Sequence, residues 1–240
     1  MRRAAFLIAC LALAMPGLAR AECPVFRPAG PLVEAPLPGA GPLTVVALGS
    51  SSTEGAGASN PALTYPALLE TKLRRALPGR PLRVVNAGRS GETSEEMLAR
   101  LDRDVLSHRP ALVVWQAGGN EVLRGRDPDS FRAVMRAGLE RLRQAGIPVV
   151  LMDNQRAPRL LAAPGHERFD AILAELAELP GVSLFSRAGA MLSWQRAGHA
   201  PERLTAPDGL HMNDRGYACL ADSLAAALLP ELSSAAMAAR

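Results

Sequence analysis

From Leu43 onward, short apolar runs alternate with segments of helical spacing. The runs Thr44 to Leu48, Arg83 to Asn86, Ala111 to Ala117, Pro148 to Met152 and Val182 to Phe185 are bounded by turn residues. This is the pattern of strands buried on both faces. Helices are predicted at Tyr65 to Leu77, Ser94 to Ser107, Asp129 to Ala145, His166 to Leu179, Arg187 to Arg196 and Asp214 to Leu229. In the second of these, Met97, Leu98, Leu101 and Val105 share one face, while Glu96 and Arg100 stand at the spacing of an i,i+4 ion pair. Thr93, with Glu96 three residues on, reads as a capping box. Strands alternating with helices predict a parallel sheet covered on both faces: one doubly wound, three-layer α/β domain over residues 43–232, with a tail at 233–240. In such sheets the ligand site lies beyond the carboxyl ends of the strands.

The N-terminal segment has a different character. Arg2 and Arg3 precede an apolar run that ends in Ala19-Arg20-Ala21, the arrangement of an export signal cut after Ala21. Residues 1–21 are therefore read as a signal peptide, and the mature protein as periplasmic or secreted. A lipid anchor on Cys10, in Leu7-Ile8-Ala9-Cys10, would leave too few apolar residues before the cysteine. Neither this run nor any later one reaches the roughly 18 apolar residues of a membrane-spanning helix. Residues 22–42, rich in Pro, Gly and Ala, read as an extended arm on the domain surface. Loss of Arg2, Arg3 and Arg20 with the signal leaves 24 basic against 23 acidic residues. That near-neutral balance, without a basic run, argues against nucleic acid as a partner. Of three cysteines, Cys23 and Cys219 remain in the mature chain, and an oxidising compartment lets them pair. Tyr217, Leu220, Leu224 and Leu228 form the apolar stripe of the last helix. Cys219 then falls on the opposite face, where the arm could cross and meet it.

Four strand-end or loop segments carry polar chemistry. Gly49-Ser50-Ser51-Ser52-Thr53-Glu54-Gly55 follows the first strand and places the Ser51 hydroxyl at a strand end, a usable nucleophile position; taken alone it also reads as a turn or cap. After the second strand, Asn86 to Thr93 contains Gly91, whose backbone can approach a ligand with its N–H free, or which serves only the geometry of the turn. After the third, Gln116-Ala117-Gly118-Gly119-Asn120-Glu121 offers the Asn120 carboxamide, or an ordinary helix cap. Near the C-terminus, Asp208-Gly209-Leu210-His211 spaces a carboxylate to orient an imidazole. Asp208, His211 and Asp214 would be the ligands of an alternative metal site, but His108, His166 and His199 are scattered and supply no second histidine.

Taken in order, these segments resemble the blocks of the SGNH (GDSL-like) hydrolase family: Gly49-Ser50-Ser51, Gly91, Asn120 within Gly118 to Gly125, and Asp208-x-x-His211. The family usually carries Asp where this chain has Ser50, and often Asp where it has Glu121. The resemblance implies a flavodoxin-like sheet of order 2-1-3-4-5 and a triad of Ser51, His211 and Asp208. It further implies an oxyanion hole from the amides of Ser51 and Gly91 and the side chain of Asn120, with no cofactor. The implied activity is cleavage of an ester or thioester of a small molecule, lipid or carbohydrate. Acyl transfer on the same triad, or a catalytically silent binding module, are the alternatives. Gln155 to Pro164 reads as an irregular segment at the active-site edge, either a pocket wall or lid, with Leu160 and Leu161 suited to an acyl chain and Arg156 and Arg159 to an anionic head group, or a plain surface loop. Protein recovered from the periplasm or medium should have the intact mass of a chain beginning at Glu22; a mass retaining Met1, or a lipid adduct on Cys10, would contradict the export signal.

Overall fold

The computed structural model describes residues 23–33 and 41–237, the last four by backbone alone. Residues 1–22, which include the expected signal segment, and residues 34–40 and 238–240 lie outside the described residues. In chain order the elements are β1 (Leu43–Gly49), α1 (Ser51–Glu54), α2 (Tyr65–Ala76), β2 (Leu82–Gly88), α3 (Ser94–Ala99), α4 (Leu101–Asp104), β3 (Leu112–Gln116) and α5 (Gly119–Leu123). They continue with α6 (Pro128–Gln144), β4 (Val149–Met152), α7 (Pro158–Leu161), α8 (His166–Leu176), β5 (Val182–Phe185), α9 (Arg187–Arg196) and α10 (Asp214–Met237). All pairings within the sheet are parallel and the strand order is β2-β1-β3-β4-β5. The doubly wound α/β architecture and its order agree with the sequence reading.

The central strands β1, β3 and β4 are buried at every position, while β2 and β5 at the edges are partly exposed. Alternate residues of the central strands feed two cores. Val45, Ala47, Val114 and Val150 pack with α2, α9 and α10. Val46, Leu48, Val113, Trp115 and Leu151 pack with α3, α6 and α8. A strand with period two and no polar face has to be covered from both sides, and the crossovers supply the two helical layers.

Three readings are corrected. The helix expected from Ser94 to Ser107 is broken after Ala99 into α3, α4 and a 3₁₀ turn at Leu106–His108. Arg100 sits at the break with its side chain turned inward, 5% exposed, so the Glu96–Arg100 pair does not form; Glu96 instead closes the capping box by accepting from Thr93 N at 2.7 Å. The last helix runs through Pro230 to Met237 and does not stop at Leu229. Finally, the arm is packed into the domain. Cys23, Leu32 and Val33 are buried, Phe26 N–H donates to Ser223 Oγ at 3.0 Å, Trp194 Nε1 donates to the Pro24 carbonyl at 3.0 Å, and Phe26 meets Phe185 edge-on at 5.9 Å.

This explains Cys219. It faces away from the apolar stripe of α10, yet it is 1% exposed because the arm covers that face. There it is bonded to Cys23, with Cα atoms 5.6 Å apart and a sequence separation of 196. Closing so long a loop stabilises the native state by about 5 kcal/mol through the unfolded chain. Reduction should lower the unfolding free energy of the mature protein by about that amount, read from denaturant titrations with and without dithiothreitol. Coincident midpoints would contradict a structural role for the bond.

Candidate active site

The parallel ladder puts Gly49 level with Gly88 and brings Leu48 beside Trp115, so the loops after β1, β2 and β3 leave the sheet at one edge. α1 begins immediately after β1, with Ser51 as its first residue. It packs so tightly against the strand end that a Cβ on Gly49 would stand 2.1 Å from Thr53 Oγ1. This close approach requires glycine.

The loop holding Ser51 is fixed by a side chain that the sequence reading passed over. Gln116, the last residue of β3, is 2% exposed. Its Oε1 accepts from Ser50 N at 3.1 Å, Ser50 Oγ at 3.1 Å and Thr53 Oγ1 at 3.3 Å. Ser50, where the family usually carries Asp, thus acts as a donor toward β3. A polar residue closing an otherwise apolar strand, Leu112-Val113-Val114-Trp115-Gln116, was the available signal.

His211 comes from a loop whose ends join at the Thr205–Met212 bridge. Ala206 N donates to the His211 carbonyl at 2.8 Å. The segment Gln155 to Pro164, expected to be irregular, contains α7 and buttresses this loop. Gln155 Nε2 donates to the Leu210 carbonyl at 3.0 Å and Arg159 N to that of Gly209 at 3.2 Å. Its two leucines part company: Leu160 is buried in the core and Leu161 is exposed.

These supports bring Ser51, His211 and Asp208 into one line. Ser51 Oγ lies 2.7 Å from His211 Nε2, and His211 Nδ1 lies 2.5 Å from Asp208 Oδ2. Asp208 Oδ1 also accepts from Leu210 N at 2.9 Å and His211 N at 3.0 Å. Burial pushes the Asp208 carboxyl up, but the bonds from the His211 ring and these two amides outweigh it and hold the group at about 2. An ionised carboxylate only accepts, so the proton sits on Nδ1 and the Nε2 lone pair faces the Ser51 hydroxyl. Asp214 does not join them; it accepts from Ser59 N at 2.7 Å and Ser59 Oγ at 2.5 Å. Among the described residues no group of three metal-ligating side chains converges.

The remaining groups stand across the sheet edge. Gly91 has φ +83° in the turn from Arg89 to Glu92, closed by Glu92 N to the Arg89 carbonyl at 3.3 Å; a positive φ at this position favours glycine. Among the described residues, no hydrogen bond takes up the amide N–H of Ser51 or of Gly91. Asn120 is the second residue of α5 and not its cap, a place taken by Gly118. Its Nδ2 donates to the Glu92 carbonyl at 2.7 Å, which leaves one amide hydrogen uncommitted. Glu121, 3% exposed, accepts from Ser94 N at 2.5 Å and so ties α5 to the start of α3. The assembly can take a proton from a hydroxyl and offer N–H groups to a developing negative oxygen.

The sequence matches the Non-GDSL lipase-like family over residues 27–234. It is 31% identical over 187 residues to thioesterase 1/protease 1/lysophospholipase L1 of Escherichia coli (strain K12), spanning 78% of this chain and 84% of that protein. The solved structure of TesA superposes with a TM-score of 0.65 at 27% identity, covering 78% of this chain and 99% of that one. The psychrotrophic esterase EstA from Pseudoalteromonas sp., solved inhibited by monoethylphosphonate, shares the fold with a TM-score of 0.66 at 24% identity over 79% of this chain and 98% of its own. The chain belongs to the Non-GDSL lipase-like family, among the SGNH/GDSL serine ester hydrolases.

Proposed function

We propose that this ester hydrolase is exported and works through an acyl-enzyme on Ser51. The observation that carries the reading is the unbroken path from Ser51 Oγ through His211 to Asp208, with contacts of 2.7 and 2.5 Å. His211 Nε2 takes the Ser51 proton as Oγ attacks the acyl carbonyl. The carbonyl oxygen becomes negative, and the amides of Ser51 and Gly91 with Asn120 Nδ2 stabilise it. His211 then returns the proton to the departing alcohol or thiol. Water, deprotonated by the same nitrogen, releases the acid. Asp208, ionised at all pH values above about 2, holds the ring tautomer and stabilises the imidazolium without taking a proton.

Carboxylic esters and thioesters of acyl or acetyl groups are the substrate class. The Escherichia coli relative, described as a thioesterase and lysophospholipase, supports this choice. Export is supported by the N-terminal pattern and by the Cys23–Cys219 bond, which an oxidising compartment preserves. Among the described residues no helix is long and apolar enough to cross a membrane.

The test is hydrolysis of p-nitrophenyl esters of graded chain length by the mature protein and its variants. Ser51→Ala should abolish turnover and labelling by a fluorophosphonate. Asn120→Ala should lower kcat by about 100- to 1,000-fold with little change in KM, the usual effect of one lost oxyanion donor. Asn120→Asp should be worse, because it sets a carboxylate against the transition-state charge. Turnover by folded Asn120→Asp above about a tenth of the parent rate would remove Asn120 from the mechanism.

A further inference from the structure

A buried arginine joins the loop carrying the nucleophile to the loop carrying Gly91. Arg100 is 5% exposed, and its guanidinium meets four acceptors. Nε donates to Glu92 Oε2 at 2.6 Å, Nη1 to Asp104 Oδ2 at 3.1 Å, and Nη2 to the carbonyls of Ala87 at 2.9 Å and Gly49 at 3.3 Å. Gly49 ends β1, two residues before Ser51. Glu92 ends the turn that presents Gly91 and offers its carbonyl to Asn120. The same turn is anchored at its start by Arg89 N on the Gly49 carbonyl at 3.0 Å and in its middle by Arg124 Nη2 on the Gly91 carbonyl at 2.5 Å.

We propose that the Arg100–Glu92 pair is a positioning device for the oxyanion hole, setting the turn that holds Gly91 and Asn120 at a fixed distance from Ser51. The inference rests on the assignment of Ser51, Gly91 and Asn120 as oxyanion donors. With Arg100 buried and Glu92 partly buried, the ion pair contributes little to stability compared with an apolar pair of the same shape, so stability alone does not account for it here. Its use lies in geometry. A guanidinium is a rigid planar fork whose donors reach several acceptors in fixed directions, and two of these acceptors, Glu92 Oε2 and the Gly49 carbonyl, belong to the two segments whose separation matters. Neither Arg100 nor Glu92 touches the reacting atoms. Both act through the donors, whose interaction with substrate strengthens only as the oxyanion forms; their loss therefore falls on kcat and leaves KM nearly unchanged.

The experiment is a mutant cycle on mature enzyme with a short p-nitrophenyl ester. Glu92→Ala, which leaves Arg100 its contacts with Asp104 and both carbonyls, should lower kcat about tenfold or more with KM within about twofold. Glu92→Gln, which keeps an acceptor for Arg100 Nε, should recover to within about threefold of the parent. In an Asn120→Ala background, Glu92→Ala should cost less than about threefold, because one donor it positions is already gone. Arg100→Lys keeps the charge and loses the fork, so it should show the same kcat-selective loss and provides a reading should Glu92→Ala not fold. Parent-like kcat in Glu92→Ala, a loss carried by KM, or full additivity with Asn120→Ala would overturn the positioning role. An unimpaired Asn120→Ala would instead overturn the oxyanion assignment on which it rests.

Discussion

The parallel ladder between β1 and its neighbours is the constraint from which the site follows. It sets Gly49 level with Gly88 and Leu48 beside Trp115, so three loops leave the sheet together. Backbone amides can be aimed only by fixing the peptide planes that carry them, and strands buried on both faces fix their ends well. The two apolar cores lock the register, because a slip by one residue would exchange every side chain between the helical layers.

Polar side chains do the finer positioning, and they do so from buried places. Gln116 gathers the Ser50 amide, the Ser50 hydroxyl and the Thr53 hydroxyl on one oxygen, and Glu121 holds the start of α3. Each would be costly if unpaired, since a buried polar group without a partner loses about 1–3 kcal/mol. That penalty makes the arrangement specific: in this geometry Gln116 Oε1 and Glu121 Oε1 have their partners, while Glu121 Oε2 is buried without one. The His211 loop is supported by the buried Gln155 side chain and by the Arg159 backbone amide, and Asp208 is bound to the loop's own amides. The arm adds a covalent tie where Cys23 meets α10.

Much of this was legible in the sequence because periodicity reports burial. The all-apolar strands and the helices flanking them could be read to within a few residues, and Ser51, Gly91, Asn120, Asp208 and His211 lie where their motifs put them. What escaped notice depends on tertiary contacts. Arg100 has the spacing of a surface ion pair, and only the carbonyls of Gly49 and Ala87 explain why it turns inward and breaks a helix. Gln116 read as the end of a strand, since nothing local marks an oxygen that will accept three hydrogen bonds. α10 passes through Pro230, which local rules would place beyond a helix end. Cys219 was rightly set apart from the apolar stripe, but its burial needed the arm that crosses it. Leu160 and Leu161 are neighbours in sequence with opposite exposures because the short α7 turns one inward.

The central claim is that Ser51 is the nucleophile facing a hole already formed before substrate arrives. A crystal structure of the mature protein inactivated by a monoalkyl phosphonate tests it most directly. The expected result is a covalent bond from phosphorus to Ser51 Oγ, with one phosphoryl oxygen about 3 Å from Ser51 N, Gly91 N and Asn120 Nδ2. The turn from Arg89 to Glu92 should be where it is in the free protein. Phosphorus on another residue, or a phosphoryl oxygen directed away from these three donors, would contradict the account.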